Sequence, residues 1–367
     1  MKLTIFSRTR FLKLGEFVLC FILIVETCRS QAQHREISGE LDGVFFDILY
    51  PEKWIGDLLI YNHGLIFEHL PPSTYLDPSR EPFTTLLEDG WLLASSCYRR
   101  NGLIIGDAVD DVLELIEYLR ERFGRPRNTF LIGESMGGAI SLQLLEDHPN
   151  QFQGALILGR GLFTMDPMSP YTYRYQPDAP VLFLCNISEI DQAQEYVAKA
   201  AARGKLLALW EIKRAGHVNI NRAEYLAALH NLFLWAKGEK IALRRDATIK
   251  FEKETSTALF ADGGAYGRIR SIDPTFGNLS TTFVGADWTR LGITIGQVFH
   301  LEINGKSYQA SLVSTYTDVP KGHWLAFCSA DGYFTIAINF DNAAQRAGVL
   351  SPSETIFISN PQRHLDP

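Results

Sequence analysis

The chain reads as an α/β protein: a doubly wound, mostly parallel sheet followed by a small, mostly β, barrel-like C-terminal domain. Three observations predict this. From about residue 43 to 237, near-continuous apolar runs of strand length alternate with longer amphipathic runs at helical spacing, as in a parallel sheet covered on both faces. After Tyr266 the texture changes to short alternating runs set off by turn residues, which suits antiparallel strands. With 367 residues, 46% of them hydrophobic, the chain has the apolar material for more than one core.

The first 32 residues stand apart. Lys2, Arg8, Arg10 and Lys13 precede the apolar run "FVLCFILIV", and a polar stretch ending in "SQA" follows. That is the layout of a secretory signal peptide. Its apolar run is too short to span about 30 Å of hydrocarbon. We therefore expect export to the periplasm or the exterior, with no membrane span after the leader is removed. Cys20 and Cys28 leave with the leader, and Cys97, Cys185 and Cys328 remain. An odd set in apolar surroundings reads as small core residues rather than as a disulfide framework. A net charge of −7 argues against a nucleic-acid surface.

In order, the predicted strands of residues 33–240 are "VFFDILY", "DLLIYN", "WLLASSCY", "NTFLIG", "GALILG", "PVLFLC" and "LLALWEI". Helices are expected from Asp107, after Ser135 and after Glu189. In the last of these, Ile190, Ala193, Tyr196, Val197 and Ala200 recur at helical spacing. Residues 241–265, charged and without a long apolar period, read as a linker. The β domain is expected over 266–359, with a short tail beyond, and "NGK" at Asn304–Lys306 predicts a tight hairpin.

One motif carries chemistry. Gly133-x-Ser135-x-Gly137 alone arises by chance in about one chain in eight of this length. Its flanks raise its value: "NTFLIG" supplies a strand before it and "MGGAISLQLLEDH" a helix after it, as a nucleophile elbow requires. A serine hydroxyl needs a base, and the base an orienting acid. His217 lies in the loop after "LLALWEI", and the loop after "PVLFLC" offers Glu189 and Asp191. Glu189 follows the strand end more closely, and Asp191 is also placed to begin a helix. Oxyanion donors are expected from the amide of Met136, next to the serine, and of Leu65 in "NHGL". His63 reads as a loop-stabilising residue. Asn101 and Tyr98, at a strand end on the same side, are candidates to line the pocket, Tyr98 being equally a core candidate. Phe163, Tyr171, Tyr173 and Tyr175 either grip a substrate ring or pack a proline-rich loop onto the domain.

Residues 40–237 resemble the α/β-hydrolase superfamily, through "NHGL", "SSCYRRNG", "GESMGG" and "GHVNINRAEYLAALHNLFLW". The resemblance implies a Ser–acid–His triad and is not specific to a substrate. Glu189 stands where Asp is commoner. Residues 266–359 resemble the C-terminal β domain of the S-adenosylmethionine hydrolase and adenosyl-halide synthase family, through "SIDPTFGNLSTTF", "STYTDVPKGHWLAF" and "CSADGYFTIAINFDNAA". That family completes its ligand site between subunits, and the resemblance places Phe276, Asn278, Tyr316 and Ser329 at or beside it. The family's N-terminal domain is replaced here by the hydrolase. The β domain is thus better suited to docking on the hydrolase, to self-association into a homo-oligomer or to gripping another ligand. From the residues alone, Phe276 and Tyr316 read as barrel core and Gly277–Asn278 as a turn.

The expectation is an exported serine hydrolase acting on a small-molecule or polymer ester through an acyl-enzyme. The alternatives are a peptidase or amidase with the same triad, or a non-catalytic binding protein working through its β domain. His34, His63, His69 and His148 fall in no metal-ligand spacing, and we expect neither metal nor cofactor.

Overall fold

The computed structural model describes residues 34–159, 171–250 and 255–360. The stretch expected to be a leader, with Cys20 and Cys28, lies outside the described residues, as do Phe163 and the tail after Asn360. Within the described residues the first sheet has nine strands. In chain order these are β1 (His34–Leu41), β2 (Val44–Pro51), β3 (Asp57–Asn62), β4 (Leu92–Ser96), β5 (Asn128–Glu134), β6 (Gly154–Leu158), β7 (Val181–Asn186), β8 (Ala208–Ile212) and β9 (Arg244–Asp246). In space they run β1-β2-β4-β3-β5-β6-β7-β8-β9. The β1–β2 and β2–β4 pairs are antiparallel and all the others parallel.

Five helices cover the sheet: α1 (Phe83–Glu88), α2 (Gly106–Phe123), α3 (Met136–Asp147), α4 (Asp191–Ala201) and α5 (Arg222–Ala236). On one face α2, α3 and α4 bury Val112, Leu115, Ile140 and Tyr196 against Ile60, Leu131 and Phe183. On the other, α1 and α5 bury Phe83, Leu86 and Leu229 against Leu59, Ile132 and Leu184. Successive side chains of a strand point to opposite faces. Strands buried on both sides are therefore apolar at their centres, which is why β5, β6 and β7 carry the apolar runs at 130–133, 154–158 and 181–185. Each large side chain so buried contributes about 1.5–3 kcal/mol.

The connection from β3 leads to one side of the sheet and that from β4 back to the other. The reversal makes a crevice at the carboxyl ends of β3 and β5, where open α/β sheets bind ligands. Asn62 and Gly133 are register partners across this pair, so the loops leaving β3 and β5 emerge side by side.

The second sheet comprises β10 (Leu259–Ala261), β11 (Gly264–Ile272), β12 (Leu279–Val284), β13 (Val298–Ile303), β14 (Lys306–Leu312), β15 (Trp324–Cys328), β16 (Tyr333–Ile338) and β17 (Thr355–Ser359). Because β17 pairs with both β13 and β11, seven strands close into a barrel and β10 extends it at one edge. Closure removes open strand edges, and Phe283, Trp288, Phe299 and Ile336 fill the interior. Two short helices, α6 (Gly285–Leu291) and α7 (Ala343–Ala347), flank it. At the "NGK" turn Asn304 and Gly305 have φ of 52° and 69°, the paired positive values of a type I′ hairpin.

Several expectations differ from what is observed. The stretch read as a linker is shorter: β9 adds to the sheet beside β8, Ala247 N–H donates to Glu211 O, and the 259–265 part belongs to the barrel. The sequence "RRD" of β9 is exposed throughout, so no apolar pattern marks it. Edge strand β1, with alternating half-burial in "HREISGEL", goes unread for the same reason. Cys97 and Cys185 are buried, but Cys328 is exposed, since it ends β15 rather than lying within it.

Candidate active site

Ser135 occupies the turn between β5 and α3 with φ 53° and ψ −119°. Such backbone costs a non-glycine residue about 1–3 kcal/mol, and close packing holds it there. A Cβ on Gly137 would stand 1.9 Å from Asn62 O, and one on Gly133 would stand 2.3 Å from Gly137 O. The glycines of the motif therefore let the helix start tightly against β3. Ser135 N–H donates to Leu158 O at 2.9 Å, tying the elbow to β6.

His217 and Glu189 reach this serine from two other loops. His217 Nε2 lies 2.9 Å from Ser135 Oγ, and Nδ1 lies 2.6 Å from Glu189 Oε2. The network is satisfied when Nδ1 carries the proton and donates to the carboxylate, leaving Nε2 to accept from the hydroxyl. Glu189 is buried, and its other oxygen, Oε1, accepts from Val218 N–H at 3.0 Å. Asp191, the other acid considered, stands exposed in the first turn of α4 and is not brought to the histidine.

The loop leaving β3 lies against the elbow. A Cβ on Gly64 would stand 3.2 Å from Ser135 Cβ. Leu65 follows directly, and Met136 opens α3, where the first amides have no partner within the helix. His63 is buried, its Nδ1 2.7 Å from Gly64 O, and stacked at 4.2 Å on Tyr98. Burial lowers its pKa to about 4, so the ring is neutral at pH 7. Tyr98 is buried and donates to His63 O at 3.2 Å. It is a core residue rather than part of a pocket wall. Asn101 Nδ2 donates to Leu70 O at 2.6 Å and shapes the same loop.

The tyrosines after β6 do not face a cleft. Tyr171 and Tyr196 hydroxyls donate to buried Glu146 at 2.7 and 2.5 Å, Tyr173 is buried, and Tyr175 lies 5.0 Å from the Arg203 guanidinium. They pack their loop onto the domain.

Two supporting networks escape sequence reasoning. Glu134, next to Ser135, accepts from Tyr61 OH (3.0 Å), Arg80 (2.6 Å) and Tyr225 OH (3.2 Å). The loop bearing His217 hangs on Asn219, whose N–H donates to Asn186 Oδ1 and whose carbonyl accepts from Asn186 Nδ2 and Arg214. The only sequence signal for the second is a polar Asn ending the apolar run "VLFLCN".

In the barrel, Asn278 Nδ2 donates to Tyr316 OH at 3.0 Å, and Ser329 Oγ lies 2.7 Å from Thr335 Oγ1. Phe276 packs on Phe67 and Tyr75 of the first domain rather than in the barrel core, whereas Tyr316, beside Phe327, packs against the buried cluster of Val313, Val319, Leu325 and Ala337 in the second domain. Gly277, with φ 65°, lies in the turn expected there. Among the described residues no group of three or more His, Cys, Asp or Glu could hold a metal ion, and no helix is long and apolar enough to cross a membrane.

Two family models match parts of the chain. Residues 104–182 match the family model of the serine aminopeptidase S33 type, and residues 267–354 match that of the SAM hydroxide adenosyltransferase C-terminal domain. Each match covers less than a quarter of the chain, the first within the α/β region and the second within the barrel. Among solved structures, an esterase of Pyrococcus furiosus aligns at 12% identity over 56% of this chain and 90% of its own, with a TM-score of 0.42. An acylaminoacyl peptidase of Pyrococcus horikoshii aligns at 14% over 57% and 42%, with a TM-score of 0.43. An uncharacterized conserved protein of Thermotoga maritima aligns at 20% over 37% of this chain, with a TM-score of 0.27, and the chain spans 50% of that protein. No curated protein matches the chain.

Proposed function

We propose that the protein is an exported serine hydrolase that cleaves carboxylic esters through an acyl-enzyme. The observation that carries this reading is the continuous hydrogen-bonded line from Glu189 through His217 to Ser135, at 2.6 and 2.9 Å. Ser135 Oγ attacks the ester carbonyl carbon while its proton passes to His217 Nε2. The amides of Leu65 and Met136 stabilise the oxyanion, and Glu189 stabilises the imidazolium. Collapse breaks the carbon–oxygen bond to the alcohol, which leaves with the proton from His217. Water, deprotonated by the same nitrogen, then attacks the acyl-serine and releases the carboxylic acid. The leader is the ground for proposing export.

The match to a serine aminopeptidase model at residues 104–182 favours a second reading, cleavage of amides by the same groups. A triad does not itself decide between the two, because leaving-group fit does. The test is labelling of the mature chain by a fluorophosphonate beside Ser135→Ala. Labelling that disappears in the variant, with turnover falling by about 10⁶, is expected. Labelling or ester turnover that persists in Ser135→Ala would mean a different nucleophile. Activity confined to amides in a substrate panel would select the second reading.

A further inference from the structure

We propose that the barrel is a working part of the hydrolase site, clamping the two loops that carry the general base and one oxyanion donor, with Asn219 and Phe276 as positioning residues. The inference rests on the serine-hydrolase reading above.

The first clamp is polar. Asn219 follows His217 by two residues, so their Cα atoms are at most about 7.6 Å apart. Its side-chain amide donates to Ala215 O at 2.9 Å within its own loop and to Cys328 O at 2.8 Å on the barrel. The loop needs such holding. Gly216 has φ 139° and Val218 φ 49°, and for a β-branched residue the latter is a marked outlier. Strain of this kind persists only where the surroundings over-determine the conformation. Here they include one bond from the other domain.

The second clamp is aromatic. Phe67 follows Leu65 by two residues, again within about 7.6 Å. Across the seam its ring meets Phe276 edge-on at 5.2 Å and stacks on Phe340 at 4.8 Å. Phe276 also stacks on Tyr75, farther along the same connection, at 6.0 Å. The barrel presents Phe276 from a rigid turn in which Asp273 Oδ1 accepts the N–H groups of Thr275 and Phe276. Phe340 is itself held at φ 62°.

Both clamps act beside reacting groups without touching substrate. The elbow bearing Ser135 is tied instead to β3 and β6 of its own sheet. Loosening the barrel should therefore displace the base and the oxyanion donor relative to an unmoved nucleophile. A misplacement of about 1 Å can cost about 10²-fold in rate. The effect should fall on kcat.

The test measures kcat and KM for a short activated ester, and the rate of fluorophosphonate labelling, for the full chain and its Asn219→Ala, Phe276→Ala and Phe276→Leu variants. Both alanine variants should lower kcat by about tenfold or more with KM within about twofold, and slow labelling in parallel. Phe276→Leu, which keeps apolar volume at the seam, should recover most of the rate. A lowered melting temperature with unchanged kcat and labelling would reduce the barrel to a buttress and overturn the proposal. So would a rise in KM alone, which would make the seam a substrate wall. Should Asn219→Ala fail to fold, Phe276→Ala and Phe276→Leu decide. A wild type reactive toward ester and probe, with indifferent variants, removes only the clamp. A folded wild type that reacts with neither removes the hydrolase reading and the clamp with it.

Discussion

The elbow bearing Ser135, the proposed nucleophile, and the loop bearing His217, the proposed base, both carry strained backbone, φ 53° at Ser135 and 49° at Val218, yet they are held by different means. The elbow sits in the middle of the sheet. Its restraints are backbone contacts with β3 and β6, and the carboxylate of Glu134 is anchored by Tyr61, Arg80 and Tyr225 of the same domain. The loop bearing His217 leaves β8, next to the sheet's edge strand. Side chains hold it: Asn186, Ser188, Glu189, Arg214 and Asn219, with the barrel's Cys328 carbonyl as the outermost link. The geometry at Ser135 is thus a property of one sheet, whereas that at His217 is a property of several loops and two domains.

The sharpest way to probe the base side is to remove its acid. Glu189→Gln should lower kcat by about 10⁴, as loss of an orienting carboxylate does in other serine triads. Asp191→Asn should leave kcat within about twofold, because Asp191 stands exposed at the start of α4. Steady-state kinetics on one activated ester suffices. The reverse ranking would mean that the loop rearranges when substrate binds and that a different acid serves the histidine there.

The elbow side breaks differently, through stability. Gly137→Ala forces a methyl group to within 1.9 Å of Asn62 O and 2.8 Å of His63 O, both backbone atoms that cannot swing aside. Overpacking of this kind costs about 3 kcal/mol. At Gly285, which opens α6 of the barrel, an added Cβ would meet nothing within 4 Å, and the backbone φ is not positive. Gly285→Ala should accordingly be neutral, or stabilising by up to about 1 kcal/mol. Urea unfolding of the two variants measures the contrast. Equal effects would mean that the elbow is far more compliant than its contacts imply.

The same contrast governs what can be read in the sequence. The elbow is legible because its demands are local: a strand, two glycines at fixed offsets and a helix follow one another without interruption. Strands β3 to β7 are legible because burial on both faces keeps their centres apolar, and β2 and β8 because apolar residues still predominate in them. Glu189 and His217 are placed by their position after strands β7 and β8. Edge strands β1 and β9 fail because exposure leaves no apolar pattern. The supporting Asn186–Asn219 pair and the Phe67–Phe276 seam fail for another reason. Their members are far apart in the chain, and nothing in the local run at either end reports the partner. The tyrosines after β6 are ambiguous in sequence because aromatic residues suit a core and a cleft equally, and only the buried carboxylate of Glu146 settles their packing.

The smallest expected effect concerns the floor of the oxyanion loop, on the sheet-held side of the comparison. His63 is buried under that loop, and desolvation lowers its pKa to about 4 from 6.5. Between pH 6.5 and 4 the unfolded chain binds a proton at this residue that the folded chain refuses. Stability therefore falls as the solution is acidified through that window, and the full contribution is present above about pH 6.5. One pKa unit corresponds to about 1.4 kcal/mol, so acidification to about pH 4.5 removes on the order of 2–3 kcal/mol through His63 alone. Other groups titrate in the same window, so the measurement is a difference. His63→Phe keeps an aromatic ring against Tyr98 and has no proton to take. Urea unfolding at about pH 7 and about pH 4.5 should show the variant losing on the order of 2–3 kcal/mol less than the wild type. Equal losses would mean that the histidine is hydrated, and that water reaches beneath the loop whose amide is assigned to the oxyanion.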